Sequence, residues 1–222
     1  MIGRLYLPKN GKPPYQTVVY VPSATALMST SSENMVEELF FDFIVRNGRA
    51  VLLMVGRDMY ERRAATGARE RGPNRQRDLV TGWSKDLGRS IDYLETRNDL
   101  VRDKVGYCGV SSSAWFGAIQ AALEPRIKAS ILIAGGLVRQ RPPPEVDPFH
   151  FAPRVKTPVL MINGRYDSHF PVETNQLILF RLLGTPEHDK RHVLFESGHI
   201  PPMQGIIKEA LDWLDRYLGP VM

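Results

Sequence analysis

Apolar, β-branched runs of strand length recur along the chain, with helix-spaced apolar positions between them. Residues 16–21 (Gln-Thr-Val-Val-Tyr-Val) predict a strand ended by Pro22-Ser23, and 50–55 predict a second, after a helix over 33–46. From 78 to 95, Leu79, Trp83, Leu87, Ile91 and Leu94 fall on one helical face. Further strands are predicted at 104–110, 129–134, 158–162 and 192–195. Helices are predicted at 114–123, at 173–183 and around Ile207, Leu211, Leu214 and Leu218. Such alternation predicts an α/β fold: a three-layer sandwich with a mostly parallel sheet covered on both faces. With no internal repeat and no linker, residues 1–222 are expected to form one domain.

Two stretches break the alternation. Residues 57–77 and 139–154 follow strands and are too long and irregular for ordinary connections; the second holds Pro142-Pro143-Pro144. Both leave strand ends where a site is expected. The first also explains the charge. Seven of its residues are arginine against Asp58, Glu61 and Glu70, which accounts for most of the net charge of +5. One aromatic, Tyr60, gives no stacking platform for single strands, so the run is expected to be a solvated surface loop and not a nucleic-acid site.

Composition narrows the class further. At 222 residues the chain supports one full core, and 43% hydrophobic with 24% charged residues is globular. The apolar runs, such as 51–55, are far below the ~20 residues of a membrane span. The N-terminus has no apolar signal region, and a single cysteine, Cys108, excludes an internal disulfide framework and a multi-cysteine metal site. The expectation is a cytoplasmic protein with no membrane partner and no metal centre.

The candidate chemistry sits at three predicted strand ends. Ser111 follows a strand and precedes a helix within Gly109-Val110-Ser111-Ser112-Ser113. A nucleophile elbow turns so sharply that the residues two before and two after the serine must be small. Ser112 has Val110 in front and Ser113 has Trp115 behind, so the rule selects Ser111. Asp167 stands in a turn beyond the 158–162 strand, and His199 in a loop beyond the last strand. Ser111, Asp167, His199 is the chain order Ser…Asp…His of this elbow chemistry. A serine hydroxyl is a weak nucleophile at neutral pH: His199 is expected to take its proton, and Asp167 to fix the imidazole tautomer. The oxyanion needs two backbone N–H donors, one expected from Ser112 and the other from Ser23 or Ala24 after the first strand.

With these residues in view, the chain resembles the α/β-hydrolase superfamily and its dienelactone hydrolase/acetyl xylan esterase-like branch. It is similar, more closely, to the hydrolase domain at the C-terminus of some bacterial serine/threonine kinase–formylglycine-generating-enzyme fusions. The matching stretches are Leu7-Pro8-Lys9-Asn10, residues 86–97, Asn163-Gly164-Arg165-Tyr166-Asp167 and residues 213–220. The resemblance implies an α/β-hydrolase fold without a large cap domain, a triad at Ser111, Asp167 and His199, and a cofactor-free carboxylesterase. Relatives carry Trp-Gly after the nucleophile, where this chain has Ser112-Ser113. They also begin with further N-terminal strands, whereas Met1 stands almost inside a hairpin, so the fold is expected to be N-terminally short. The expected partner is a small-molecule ester with a short acyl chain, because neither excursion offers a large apolar surface; the candidate assembly is a homodimer. The alternatives are an amidase, peptidase or lactone hydrolase on the same triad, and a non-catalytic regulatory domain.

Overall fold

The computed structural model describes residues 2–33, 35–63 and 74–221. Among them, strands Ile2–Tyr6 (β1), Tyr15–Val21 (β2), Ala50–Val55 (β3), Leu100–Val110 (β4), Ile127–Ile133 (β5), Val159–Gly164 (β6) and Lys190–Phe195 (β7) form one sheet. Its order is β1-β3-β2-β4-β5-β6-β7. β1 runs antiparallel to β3 and every other pair is parallel. The helices are Asp42–Arg46 (α1), Arg75–Glu95 (α2), Ser112–Trp115 (α3), Gly117–Leu123 (α4), Pro148–Phe151 (α5), Leu177–Leu182 (α6) and Met203–Leu218 (α7).

The period-two alternation of side chains splits the core into two layers. Val19 and Val21 of β2 and Leu52 of β3 pack with Trp83, Leu87 and Ile91 of α2 and Ile119 of α4. Val18, Tyr20 and Leu53 point the other way, to Phe41, to Ile44 of α1, and to Trp213 and Leu214 of α7. This is the expected three-layer arrangement. Arg49, fully buried, ties the C-terminal end of α7 to the sheet: it donates to Gln16 Oε1 at 2.9 Å, to Asp215 at 2.5 Å and to the Gly219 carbonyl at 2.9 Å. A buried guanidinium without such partners would be strongly destabilising.

The differences from the sequence expectations are local. β1 was not predicted; it is a short edge strand, exposed or half-exposed along its length, so it lacks a strong apolar pattern. The predicted helix over 33–46 is a 3-10 turn, Val36–Phe40, followed by the short α1. The closing helix buries Ile206, Ala210, Trp213, Leu214 and Leu218, a stripe rotated from the predicted one, with Ile207 and Leu211 at its margin. The 57–77 stretch is not simply a solvated loop. Residues 64–73 lie outside the described residues, but Met59 and Tyr60 are buried in the core. Arg62 donates to Asp86 at 2.5 Å and to the Val55 carbonyl at 2.9 Å. Stretch 139–154 is likewise built, holding α5 between the 3-10 turns Pro144–Val146 and Ala152–Arg154, with Val146 and Ala152 buried. No helix among the described residues is long and apolar enough to cross a membrane.

β3 lies on one side of β2 and β4 on the other, so chain order reverses between β2 and β4. In open α/β sheets ligands bind beyond the carboxyl ends of strands at such a switch point. Ser23 and Ser111 both emerge there.

Candidate active site

Ser111 holds φ 56° and ψ −109°, outside the regions an L-residue adopts freely. Such a conformation costs roughly 1–3 kcal/mol and persists only where the surroundings enforce it. Two of those surroundings are visible. Gly109 leaves room for the turn: a Cβ there would lie 2.7 Å from the Ser113 carbonyl oxygen. Ser113, fully buried, accepts from the Val110 N–H at 2.7 Å and donates to the Val21 carbonyl at 2.6 Å. Its hydroxyl thereby ties the elbow to the end of β2, and among the three serines Ser111 is the one that meets an imidazole.

That imidazole is His199. Its Nε2 lies 3.0 Å from Ser111 Oγ, and its Nδ1 lies 2.9 Å from Asp167 Oδ2. Asp167 is buried, and its other oxygen accepts the backbone N–H groups of His169 at 2.8 Å and Phe170 at 3.1 Å. Burial pushes the carboxyl up, but the hydrogen bonds from His199 and from the Phe170 and His169 amides outweigh it. The group is held below the ordinary carboxylate value and stays ionised. The turns that carry the acid and the base are bonded together: Arg165 N–H donates to the Phe195 carbonyl at 2.8 Å and Tyr166 N–H to Ser197 at 2.9 Å. Gly164 permits this, since a Cβ there would meet the Gly198 carbonyl oxygen at 1.7 Å.

The other candidates for this chemistry face elsewhere. Nε2 of His192 lies 3.2 Å from Gln176 Oε1, and burial pushes its ring down to about 4. Burial pushes the Cys108 thiol up to about 12, so it offers no thiolate.

Of the expected oxyanion donors, the structure sets one aside. The Ser23 N–H donates to Glu37 Oε2 at 2.9 Å and is not free to meet a ligand. The Ala24 and Ser112 N–H groups have no acceptor among the described residues, as expected of first-turn amides. Nothing in the local sequence distinguishes Glu37, which falls inside the helix predicted over 33–46. It is buried, and besides the Ser23 amide it accepts from Tyr20 OH at 3.0 Å, Ser23 Oγ at 2.5 Å and Thr25 Oγ1. One carboxylate thus fixes the loop that presents Ala24. The hydroxyls of Ser23 and Thr25 flanking Ala24 were the only sequence signal for it.

Two cavities flank the site. One of about 450 Å³ is walled by Leu27, Trp83, Trp115 and Phe116 and reaches Ser112. The other, about 610 Å³, lies between Phe149, Leu137 and His169.

Among curated protein sequences none matches this chain. Solved structures match its fold. A 2,6-dihydroxy-pseudo-oxynicotine hydrolase superposes with a TM-score of 0.74 at 16% identity over 97% of this chain, which spans 64% of that protein's length. Acetyl xylan esterase 1 from a Thermoanaerobacterium species gives 0.67 at 18% identity, covering 96% of this chain and 77% of that one. Est1E from Butyrivibrio proteoclasticus, solved with ferulic acid bound, gives 0.68 at 14% identity over 96% and 95%. The architecture is therefore that of the α/β-hydrolase fold. The sequence profile of the Dienelactone hydrolase family matches residues 3–184, most of the chain, and the chain belongs to that family of hydrolases.

Proposed function

We propose that the protein is a serine carboxylesterase acting on small esters with short acyl chains, with Ser111 as nucleophile, His199 as general base and Asp167 orienting the base. The observation that carries this reading is the continuous chain Ser111 Oγ–His199 Nε2 and His199 Nδ1–Asp167 Oδ2, at 3.0 and 2.9 Å, on a strained elbow. Ser111 Oγ attacks the ester carbonyl carbon while its proton passes to His199 Nε2. The negative charge that develops on the carbonyl oxygen is met by the Ala24 and Ser112 N–H groups. His199 then gives the proton to the departing alkoxide, leaving an acyl-Ser111 ester. Water attacks that ester with the same imidazole as base, and the acid and free serine are released. Asp167 keeps the Nδ1 proton in place and stabilises the imidazolium.

The acyl preference follows from the site's surroundings. The aromatic-walled cavity beside Ser112 offers the acyl group an apolar surface next to the nucleophile, and neither polar excursion extends it into a long apolar groove among the described residues. A long chain gains about 0.8 kcal/mol per buried CH₂ only where a groove receives it. Among p-nitrophenyl esters, kcat/KM is expected to peak between acetate and butyrate and to fall beyond. Octanoate or longer esters clearly outperforming butyrate would contradict this specificity. Membership in the Dienelactone hydrolase family also favours lactones, in which the same bond is closed into a ring. Hydrolysis of a simple enol lactone at a rate above that of butyrate would move the assignment there without changing the triad.

A further inference from the structure

We propose that Asp167, His169 and His199 together form a binding site for a divalent transition-metal ion of the zinc type, and that filling it switches off the base. The second half of the proposal rests on the reading of His199 as general base; the first does not. His169 comes two residues after the acid and is not needed for the proposed reaction. Its side chain is 70% exposed, its Nδ1 lies 3.8 Å from Asp167 Oδ1, and its ring centroid is 4.6 Å from that of His199. Its imidazole makes no hydrogen bond among the described residues.

One donor atom from each of the three residues lies within 4.8 Å of the others. Tetrahedral zinc with bonds of about 2.0–2.1 Å holds its ligands about 3.3 Å apart. His199 Nδ1 lies 2.9 Å from Asp167 Oδ2 and His169 Nδ1 3.8 Å from Asp167 Oδ1, so the two imidazoles meet opposite oxygens of one carboxylate, and side-chain rotation must bring the three donors to that spacing. Two imidazoles and a carboxylate suit zinc and its neighbours in the transition series. Magnesium and calcium take oxygen ligands at six or more positions, which this turn does not offer. The exposed His169 leaves an entry path and a fourth position for water.

The chemistry of inhibition balances without releasing a proton. In the metal-free triad His199 carries its proton on Nδ1, and Nε2 accepts from Ser111. Nδ1 binds the ion through its lone pair, so the proton of the neutral ring relocates through solvent to Nε2. Nε2–H then donates to Ser111 Oγ and can no longer take its proton. The site gains two positive charges, and removing the ion restores the original tautomer.

The test uses the full chain without a histidine tag. Zinc affinity is measured by competition with a chromogenic chelator for the wild type, His169→Gln, Ser111→Ala and His188→Gln, the last an exposed histidine outside the site. One zinc per chain is expected. His169→Gln should weaken it by on the order of tenfold or more, while Ser111→Ala and His188→Gln bind as the wild type does. Ester hydrolysis by the wild type should be lost with the same midpoint and recovered with EDTA, and magnesium should do neither. Unchanged zinc affinity in His169→Gln overturns the site. Zinc bound at this affinity with hydrolysis intact overturns the switch. Because binding is read without turnover, failure of the esterase reading leaves the affinity comparison between wild type and His169→Gln fully informative.

Discussion

The loop after β2 and the turn after β7 carry the two groups that the proposed reaction sets around Ser111, the first an amide and the second an imidazole, but they are built in opposite ways. The β2 loop is locked from beneath: Ser23 and Glu37 are buried, and one carboxylate takes four hydrogen bonds from Tyr20, Ser23 and Thr25. The β7 turn is more open, with the His199 side chain 24% exposed, Glu196 and Gly198 exposed, and open space where a Gly198 Cβ would sit. An amide donor helps catalysis only if it is already in place when charge develops, because reorganisation at that moment cancels the gain. A base must exchange its proton and admit substrate and water. Rigidity is concentrated where the proposed chemistry needs a fixed dipole, and access where it needs proton traffic.

Breaking the locked side should have the larger effect. Glu37→Ala leaves the Ser23 amide and three hydroxyls without their acceptor, and the loop carrying Ala24 loses its anchor. With p-nitrophenyl acetate, kcat is expected to fall roughly 10²-fold while KM changes far less, the signature of a group that acts in the transition state. Glu37→Gln, which keeps the shape and one acceptor oxygen, should fall between that variant and the wild type. A folded Glu37→Ala protein with wild-type kcat would show that the loop does not depend on this carboxylate.

The open side can be sharpened through its supporting strand, where the expected effect is smaller. His192 on β7 is pushed down to about 4 by burial, against roughly 6.5 in an unfolded chain. As pH falls below ~6.5 the unfolded chain takes up this proton first. The stability linked to neutral His192 is therefore full above ~6.5 and is lost progressively toward pH 4. Its ceiling is about 3 kcal/mol, reduced because the ring is partly solvated. Urea midpoints at pH 7 and pH 4.5 should diverge more in the wild type than in His192→Gln. Equal divergence in the two proteins would show that β7 is not pH-sensitive through this ring.

What could be read in the sequence was whatever leaves a periodic or steric trace. The parallel strands are continuous apolar runs because both faces are covered, and the face of α2 was visible from Leu79 to Leu94. Ser111 could be chosen among three serines because the elbow constrains its neighbours' size, and Gly109 shows that constraint directly. Asp167 and His199 were found by their position after strands. Glu37 was not, because a buried acid in a 3-10 turn has the same local pattern as a solvent-facing acid on a helix. Its partners are contributed by residues 12–17 positions earlier. The same holds for Ser113, whose hydroxyl bonds to Val21, 92 residues away. At the start of the basic stretch after β3 the limit is related: charge alone does not reveal that Met59 and Tyr60 are buried in the core.

The central claim is that the geometry at Ser111 activates that hydroxyl and not its neighbours. The most direct measurement is reaction with a fluorophosphonate, followed by peptide fragmentation to assign the labelled serine, in the wild type and in His199→Ala. One label per chain is expected on Ser111, with the rate of labelling falling by about a thousandfold or more in His199→Ala. A label on Ser112 or Ser113, or labelling of His199→Ala at the wild-type rate, would contradict the account.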